Sequence, residues 1–360
     1  MSFLESLIAL ALQRGASDIH LSWGIRPLLR IDGQLTPVEG LSPLTDADCD
    51  RYALALTGGQ PLGPCGEVDL ARTVAGVRLR INLFRRQGHV SAALRLLAEH
   101  IPVLDRLGLP PAAAGLTELP RGIVLVTGET GSGKSTTLAA MLDRINHTRR
   151  SHILTLEDPI EYVYTPDRCL ISQREIGSDT ASYADGLRAA LREDPDVILI
   201  GEMRDLETIE TALTAAETGH LVFATLHTGS AADSVDRIVS VFPQGRQQQV
   251  RMQLSMTLQA VLSQQLLPRA GGSGRVLACE LMVASPAIRN LIREGKTPQI
   301  SNALATSARD GGITMDNALI HLALAHAITA ESACRAARDF DYVSRSLPSS
   351  APFSARPFHA

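Results

Sequence analysis

A chain of 360 residues is too long for one ordinary domain and too short for three, so two are expected at about 150 residues each. With 45% hydrophobic and 20% charged residues it can bury a sizeable core, which excludes the disordered and disulfide-scaffold classes. A net charge of −4, with only seven Phe, five Tyr and one Trp, excludes a chain whose main work is coating nucleic acid.

At the N-terminus, Leu4, Leu7, Ile8 and Ala11 stand at helical spacing and predict an amphipathic helix. Glu5 and the missing basic stretch distinguish it from a secretory signal, and no apolar run approaches the roughly 18 residues that span a bilayer. Cys49, Cys65, Cys169, Cys279 and Cys334 are far apart and form no CxxC pair, which predicts neither a zinc ribbon nor a disulfide framework and fits a reducing cytosol. Val77 to Leu83 alternates apolar and polar residues, the pattern of a half-buried strand, and Val68 to Val74 with Ala75-Gly76 supplies the other arm of a hairpin. Residues 1–98 are therefore expected to form a small α+β domain. Arg72, Arg78, Arg80, Arg85, Arg86 and Arg95 crowd it, most simply as a solvated basic face. Pro102, Gly108, Pro110 and Pro111 mark an interdomain connection over 99–111.

Between 112 and 339, continuous apolar runs at Ile123 to Val126, Val197 to Ile200 and Leu221 to Ala224 alternate with longer helix-like segments. Strands without alternation are covered on both faces, so this region is expected to be a doubly wound α/β domain. One helix runs from an Asp205 cap to a stop at Gly219, with Leu206, Ile209, Leu213 and Ala216 on one face. Glu210 and Glu217 fall on that same face, either as solvated edge carboxylates or as a contact with another domain or subunit. Pro268 to Gly274 reads as a flexible loop, the chain is mostly helical from there to about 339, and 340–360, rich in Ser, Pro and Arg, is expected to be a loose tail.

The most specific motif is Gly128-Glu-Thr-Gly-Ser-Gly133-Lys134-Ser135-Thr136, a full GxxxxGK[ST] directly after a strand and before a helical run. Such a loop turns backbone N–H groups and a helix N-terminus toward phosphate oxygens. Gly128, Thr130, Gly131, Ser132, Gly133, Lys134, Ser135 and Thr136 form the expected nucleotide cradle, with Lys134 at the β- and γ-phosphates and Ser135 on Mg²⁺. Carboxylates just past strand ends face the crevice of an open α/β sheet. Glu202 follows one such strand and is the candidate for positioning water and Mg²⁺; Gly201, beside it, stands where an aspartate is often found. Glu161, past another, is the candidate general base. His220 and His227 bracket a strand at a spacing that suits no common metal pair; they are either satisfied structural histidines or partners of the γ-phosphate. With a P-loop in the same chain, Arg80 or Arg95 could act as an arginine finger.

With these pieces in place the sequence resembles the secretion-type ATPases, and more closely the PilT family of type IV pilus retraction motors, over nearly its whole length. Leu156-Glu-Asp-Pro-Ile-Glu161 is similar to that family's Asp box, Leu191 to Asp196 with Gly201 to Asp205 to its atypical Walker B, and Thr218-Gly-His220 through His227-Thr228 to its His box. Gly15 to Leu21 resembles the family's opening, and Ala287 to Glu294 the segment associated with retraction. Trp23 to Pro27 and Glu129 depart from the pattern. The resemblance implies a cytoplasmic hexamer, peripheral at the inner membrane face, with ATP and Mg²⁺ between a PAS-like N-terminal domain and a RecA-like ATPase domain. It also implies an inner-membrane platform protein as partner, only indirect membrane contact, no nucleic acid, and scope for a second motor ATPase. The alternatives are a pilus assembly or type II secretion ATPase, against which the missing cysteine pairs weigh, and a nucleotide-binding accessory subunit; a DNA translocase ranks last.

Overall fold

The computed structural model describes residues 3–31, 33–63, 66–97 and 100–348. The chain divides into two units, one comprising Met1–Ile101 with Glu157–Thr165, the other Pro102–Leu156 with Pro166–Ala360.

The first unit contains α1 (Phe3–Gln13), β1 (Asp18–Ser22), β2 (Leu28–Ile31), β3 (Gln34–Pro37), α2 (Asp46–Thr57), β4 (Val68–Val74), β5 (Val77–Arg86) and β6 (His89–Leu96). Leu4, Leu7, Ile8 and Ala11 are the buried face of α1, and α2 starts in a capping box in which Thr45 and Asp48 satisfy each other's backbone donors. The six strands form an antiparallel sheet in the order β3-β2-β1-β6-β5-β4. Ile19, Leu21, Leu29, Leu79, Ile81, Leu83 and Leu94 belong to one core cluster with the two helices. The alternate residues lie on the other face, where Arg30, Asp18, Arg95 and Arg80 stand in one cross-strand row. The hairpin turn bends at Ala75 and Gly76, both with positive φ. The lone indole, Trp23, stacks on His89 at 4.0 Å between ring centroids, and His89 Nδ1 lies 2.7 Å from Asp46 Oδ1.

The second unit contains α3 (Ala112–Gly115), β7 (Gly122–Thr127), α4 (Lys134–Thr148), β8 (His152–Glu157), β9 (Leu170–Glu175), α5 (Tyr183–Ala190), β10 (Val197–Ile200), α6 (Leu206–Glu217), β11 (Leu221–Leu226), α7 (Ala231–Ser240), α8 (Gln244–Thr257), β12 (Leu258–Pro268), β13 (Arg275–Val283), α9 (Pro286–Arg293), α10 (Ile300–Ala305), α11 (Met315–Leu324), α12 (Ala330–Ala336) and α13 (Phe340–Ser346). Its sheet has the order β13-β12-β7-β11-β10-β8-β9. β12, β7, β11, β10 and β8 run parallel, and β13 returns antiparallel to β12. Ile123, Leu125, Ile198, Ile200, Val222 and Ala224 enter one core cluster. Their neighbours Val124, Val126, Val197, Leu199, Leu221 and Phe223 are buried as well, so both faces of the central strands are covered.

Two features differ from the sequence expectations. Residues 275–283, expected to be helical, form β13, which pairs with β12 in a long hairpin whose turn is the loop around Gly272. Residues 340–346 are helical rather than loose: Asp339 caps α13, and Val343 is fully buried among Met315, Leu319 and Ile328. Residues 349–360 lie outside the described residues. Glu210 is half-exposed and Glu217 exposed on α6, as expected of solvated edge carboxylates, and each also has a partner on α8. Arg246 of α8 donates to Glu210, and Gln253 Nε2 of the same helix donates to Glu217 at 3.2 Å. Among the described residues, no helix is long and apolar enough to cross a membrane.

Candidate functional site

β7 ends at Thr127 and α4 begins at Lys134, so the glycine-rich segment is the turn between a buried strand and a helix N-terminus. Gly128 has φ 141°, and a Cβ there would stand 2.4 Å from the Gln264 carbonyl oxygen and 2.6 Å from Ser132 Oγ. Only glycine fits, because the loop passes directly against β12. Gly133, the N-cap of α4, needs φ 93° but is not crowded, so its requirement is conformational. The first N–H groups of α4 have no intrahelical acceptor and carry the positive end of the helix dipole. Lys134 is buried, with Nζ donating to the carbonyls of Gly128 at 2.7 Å and Glu129 at 3.0 Å. Ser132 Oγ is buried with no hydrogen-bond partner among the described residues. Ser135 and Thr130 are exposed, Gly131 is exposed, Thr136 is half-buried, and the Glu129 side chain is exposed.

Because the strands are parallel, the ends of β10 and β11 come to the same edge of the sheet as this loop: Thr127 pairs with Leu226, and Ile200 with Ala224. Glu202 follows β10 and His227 follows β11. His227 Nε2 lies 3.1 Å from Glu202 Oε1, and Arg204 Nε lies 2.6 Å from the same oxygen. The Glu202 side chain is 19% exposed, so the carboxylate is held by two basic partners at a mostly buried rim. Thr225 Oγ1 donates to the Gly201 carbonyl, which fixes the turn that aims Glu202.

His220 is a correction. Leu221 pairs with Gly122, and Gly122 N donates to His220 O at 3.0 Å, so His220 sits at the start of β11 while the glycine loop follows the end of β7. Six strand residues at about 3.3 Å each separate the two by roughly 20 Å. Its ring is occupied at the C-terminus of α6, with Nδ1 2.9 Å from Ala215 O and 3.3 Å from Thr218 Oγ1. Within one chain it is a structural histidine, and the strand's length separates the two histidines that the sequence treats as one box.

Glu161 lies on the Glu157–Thr165 segment, which groups with the first unit. There Arg78 Nε donates to Ile160 O at 3.2 Å. Among the other arginines, Arg85 staples the carbonyls of Gly63, Gly88 and Leu62. Arg95 Nε is committed to Asp18 Oδ1 at 2.9 Å. Burial would raise the Asp18 carboxyl, but hydrogen bonds from Ser17 and Arg95 and the Arg95 charge outweigh it and hold it below the usual range. Arg80, directly opposite Arg95 in the sheet, is exposed and makes no hydrogen bond or ion pair among the described residues.

Several residues around the loop carried no sequence signal. Thr127 Oγ1 donates to Ser263 Oγ at 2.9 Å, and Gln264 Nε2 donates to Thr137 Oγ1 at 2.7 Å, tying the strand before the loop and the helix after it to β12. Gln264 Oε1 is buried without a partner among the described residues. These contacts cross more than a hundred residues of sequence, where no spacing rule applies.

A P-loop on a parallel sheet with an acid and a histidine at neighbouring strand ends defines a class of nucleotide-dependent proteins, and comparison with known proteins names the family. The chain belongs to the type II/IV secretion system protein family, whose pattern it matches over residues 66–330. It is 46% identical to the type IV pilus retractation ATPase PilT of Pseudomonas aeruginosa over 92% of this chain and 96% of that one. It is also 51% identical to a twitching motility protein of Neisseria gonorrhoeae over 77% of this chain and 75% of that one. A crystal structure of the pilus retraction motor PilT with bound ADP superposes with a TM-score of 0.87 at 48% identity, covering 96% of this chain and all of that one.

Proposed function

We propose that this protein is a cytoplasmic ATPase motor that hydrolyses ATP to power type IV pilus retraction. The observation that carries the proposal is the juxtaposition of the Lys134 loop with the Glu202–His227 pair at one edge of the sheet, in a chain 46% identical to PilT along almost its full length.

In this reading the second unit is a RecA-like ATPase domain and the first a PAS-like domain. The buried Ser132 hydroxyl, without a partner among the described residues, and the Lys134 ammonium in a loop that only Gly128 can close suit a polyphosphate. Ser135 and Glu202 offer the hard oxygen donors that Mg²⁺ prefers, and the ion would neutralise charge on the β- and γ-phosphates. Lys134 binds those phosphates, and Gly128 to Thr136 orient them. Glu202, kept in place by His227 and Arg204, orients the attacking water, and Glu161 is the general base that accepts its proton. His227, one hydrogen bond from Glu202, senses the γ-phosphate. Arg80 is the better finger candidate, since Arg95 is already bound to Asp18.

The working assembly is a homohexamer at the inner face of the cytoplasmic membrane, where nucleotide states that favour different domain packings push on an inner-membrane platform protein. A second motor ATPase is a natural companion, and bilayer contact is indirect. The test is Lys134→Ala. Wild-type protein shows Mg²⁺-dependent ATPase that this substitution lowers roughly 100-fold or more, and cells carrying the variant display excess pili that do not shorten. Bald cells would assign the chain to assembly, and a wild-type protein without turnover would make it an accessory subunit.

A further inference from the structure

Glu280 on β13 is 2% exposed, yet it is a carboxylate. Its oxygens accept from three directions: Oε1 from Ala231 N at 2.9 Å, and Oε2 from Met315 N at 3.3 Å and from Arg338 Nη1 at 2.6 Å. Ala231 and Met315 open α7 and α11, so one carboxylate serves two helix N-termini, where both orphan N–H groups and dipoles favour a negative charge. Burying an ion this completely costs more than packing an apolar side chain, and it persists only where each bond is made.

The position of this carboxylate gives it more than a structural part. In the sheet, Leu226, Thr127, Ser263 and Glu280 are consecutive cross-strand neighbours, so Glu280 stands in the row that ends β7 and β11. Thr127 immediately precedes the phosphate loop and Leu226 immediately precedes His227. The second arm of the Arg338 guanidinium, Nη2, donates to the carbonyl of Gly229, two residues beyond His227. Arg338 itself is fixed from behind, since Asp316 at the start of α11 accepts from the backbone of Arg338 at 2.8 Å and of Asp339 at 3.1 Å. The segment between β11 and α7 is thus pinned at one end by His227 on Glu202 and at the other by Arg338, which Glu280 anchors.

We propose that Arg338 is a positioning residue for hydrolysis: bridging Glu280 and the Gly229 carbonyl, it sets the backbone from which His227 reaches Glu202, and so makes the C-terminal helices α11 to α13 a brace for the nucleotide edge. This rests on the ATPase reading above. A guanidinium fork spans both acceptors, whereas one ammonium at the end of a flexible stem keeps the charge against Glu280 and loses the fixed fork.

The experiment compares full-length wild type, Arg338→Lys and Arg338→Gln for kcat, KM for ATP, binding of a non-hydrolysable ATP analogue, and thermal midpoint. Displacement of a group that orients the reaction lowers turnover without weakening ground-state binding. In Arg338→Lys, with its melting temperature and analogue affinity near wild type, kcat falls roughly 10- to 100-fold at unchanged KM; Arg338→Gln falls further. Wild-type kcat in the folded fraction of either variant, whether or not its melting temperature drops, makes Arg338 a structural brace only and overturns the proposal. A wild-type protein without turnover instead removes the ATPase reading on which it rests.

Discussion

At the scale of single residues, position along one cross-strand row of the first unit's sheet explains why two paired arginines have different fates. Arg95 lies beside Asp18 and is spent on it, while Arg80, one strand further, has no acidic neighbour in its row. Arg80→Ala is expected to leave stability within about 0.5 kcal/mol, as for an unpartnered surface side chain, while lowering kcat by up to roughly 1,000-fold if it supplies the finger. Steady-state ATPase assays on Arg80→Ala and Arg95→Ala check this, and unchanged turnover in Arg80→Ala moves the finger elsewhere. His20 shares the polar face. Burial and then the Arg30 charge push its imidazole below the ordinary value, against a smaller pull upward from Asp18, and its Nε2 is buried without a partner among the described residues. The unfolded chain takes up a proton on this residue near pH 6.5, the folded chain only at lower pH, so stability is lost as pH falls below that point. Chemical denaturation at pH 7.5 and pH 5.5 should show a smaller loss for His20→Leu than for wild type; equal losses would show that His20 titrates alike in both states. The motif residues were legible because a phosphate loop needs glycine at fixed offsets, and α1 and α6 because their buried faces recur at helical period. Glu280 and Arg338 were not, since a buried carboxylate paired with a guanidinium 58 residues away leaves no pattern in either neighbourhood.

At the scale of elements, helix contacts account for residues that function alone would leave unexplained. In α9, Ile288 and Ile292 are fully buried, while Arg289 Nη1 caps the end of α8 through the carbonyls of Ser255 at 2.8 Å and Met256 at 3.1 Å. Its Nη2 adds a bond to Gln259 Oε1 at 3.0 Å, and burial lowers the affinity of this guanidinium for its proton. The segment resembling a retraction signature is thus also the clamp that orders the α8–β12 corner. Glu210 and Glu217 are readable from their positions as out of place on an apolar face, but their partners on α8 are not, because helix neighbours are decided by the fold. The Glu210–Arg246 pair is half-exposed on both sides, where solvent screening leaves an ion pair little net stabilisation. α13 was missed for a different reason: Ser and Arg dilute its hydrophobicity, and one valine carries its packing. Val343→Ala should cost about 2 kcal/mol, from the lost methyl burial and the cavity left behind. A urea unfolding curve measures it, and an unshifted midpoint would mean that residues 340–346 do not pack as described.

At the scale of the whole molecule, composition limited the count of domains, and the continuous apolar runs limited the class of the second one, because only strands covered on both faces carry no alternation. Chain order did not reveal that Glu157–Thr165 belongs with the N-terminal unit, so the chain crosses between its units more than once. Glu161 therefore belongs to the unit without Lys134 and Glu202, and in the proposed mechanism its part as general base would make turnover depend on how the two units are arranged. The stacked Trp23 adds a practical consequence. It is the chain's one indole and belongs to the unit without the phosphate loop. Indole emission from the unlabelled protein, excited at the red edge where the five tyrosines absorb little, therefore has a single address, and a change in it when ATP is added would report on the unit that lacks the phosphate loop, without a dye or a tag.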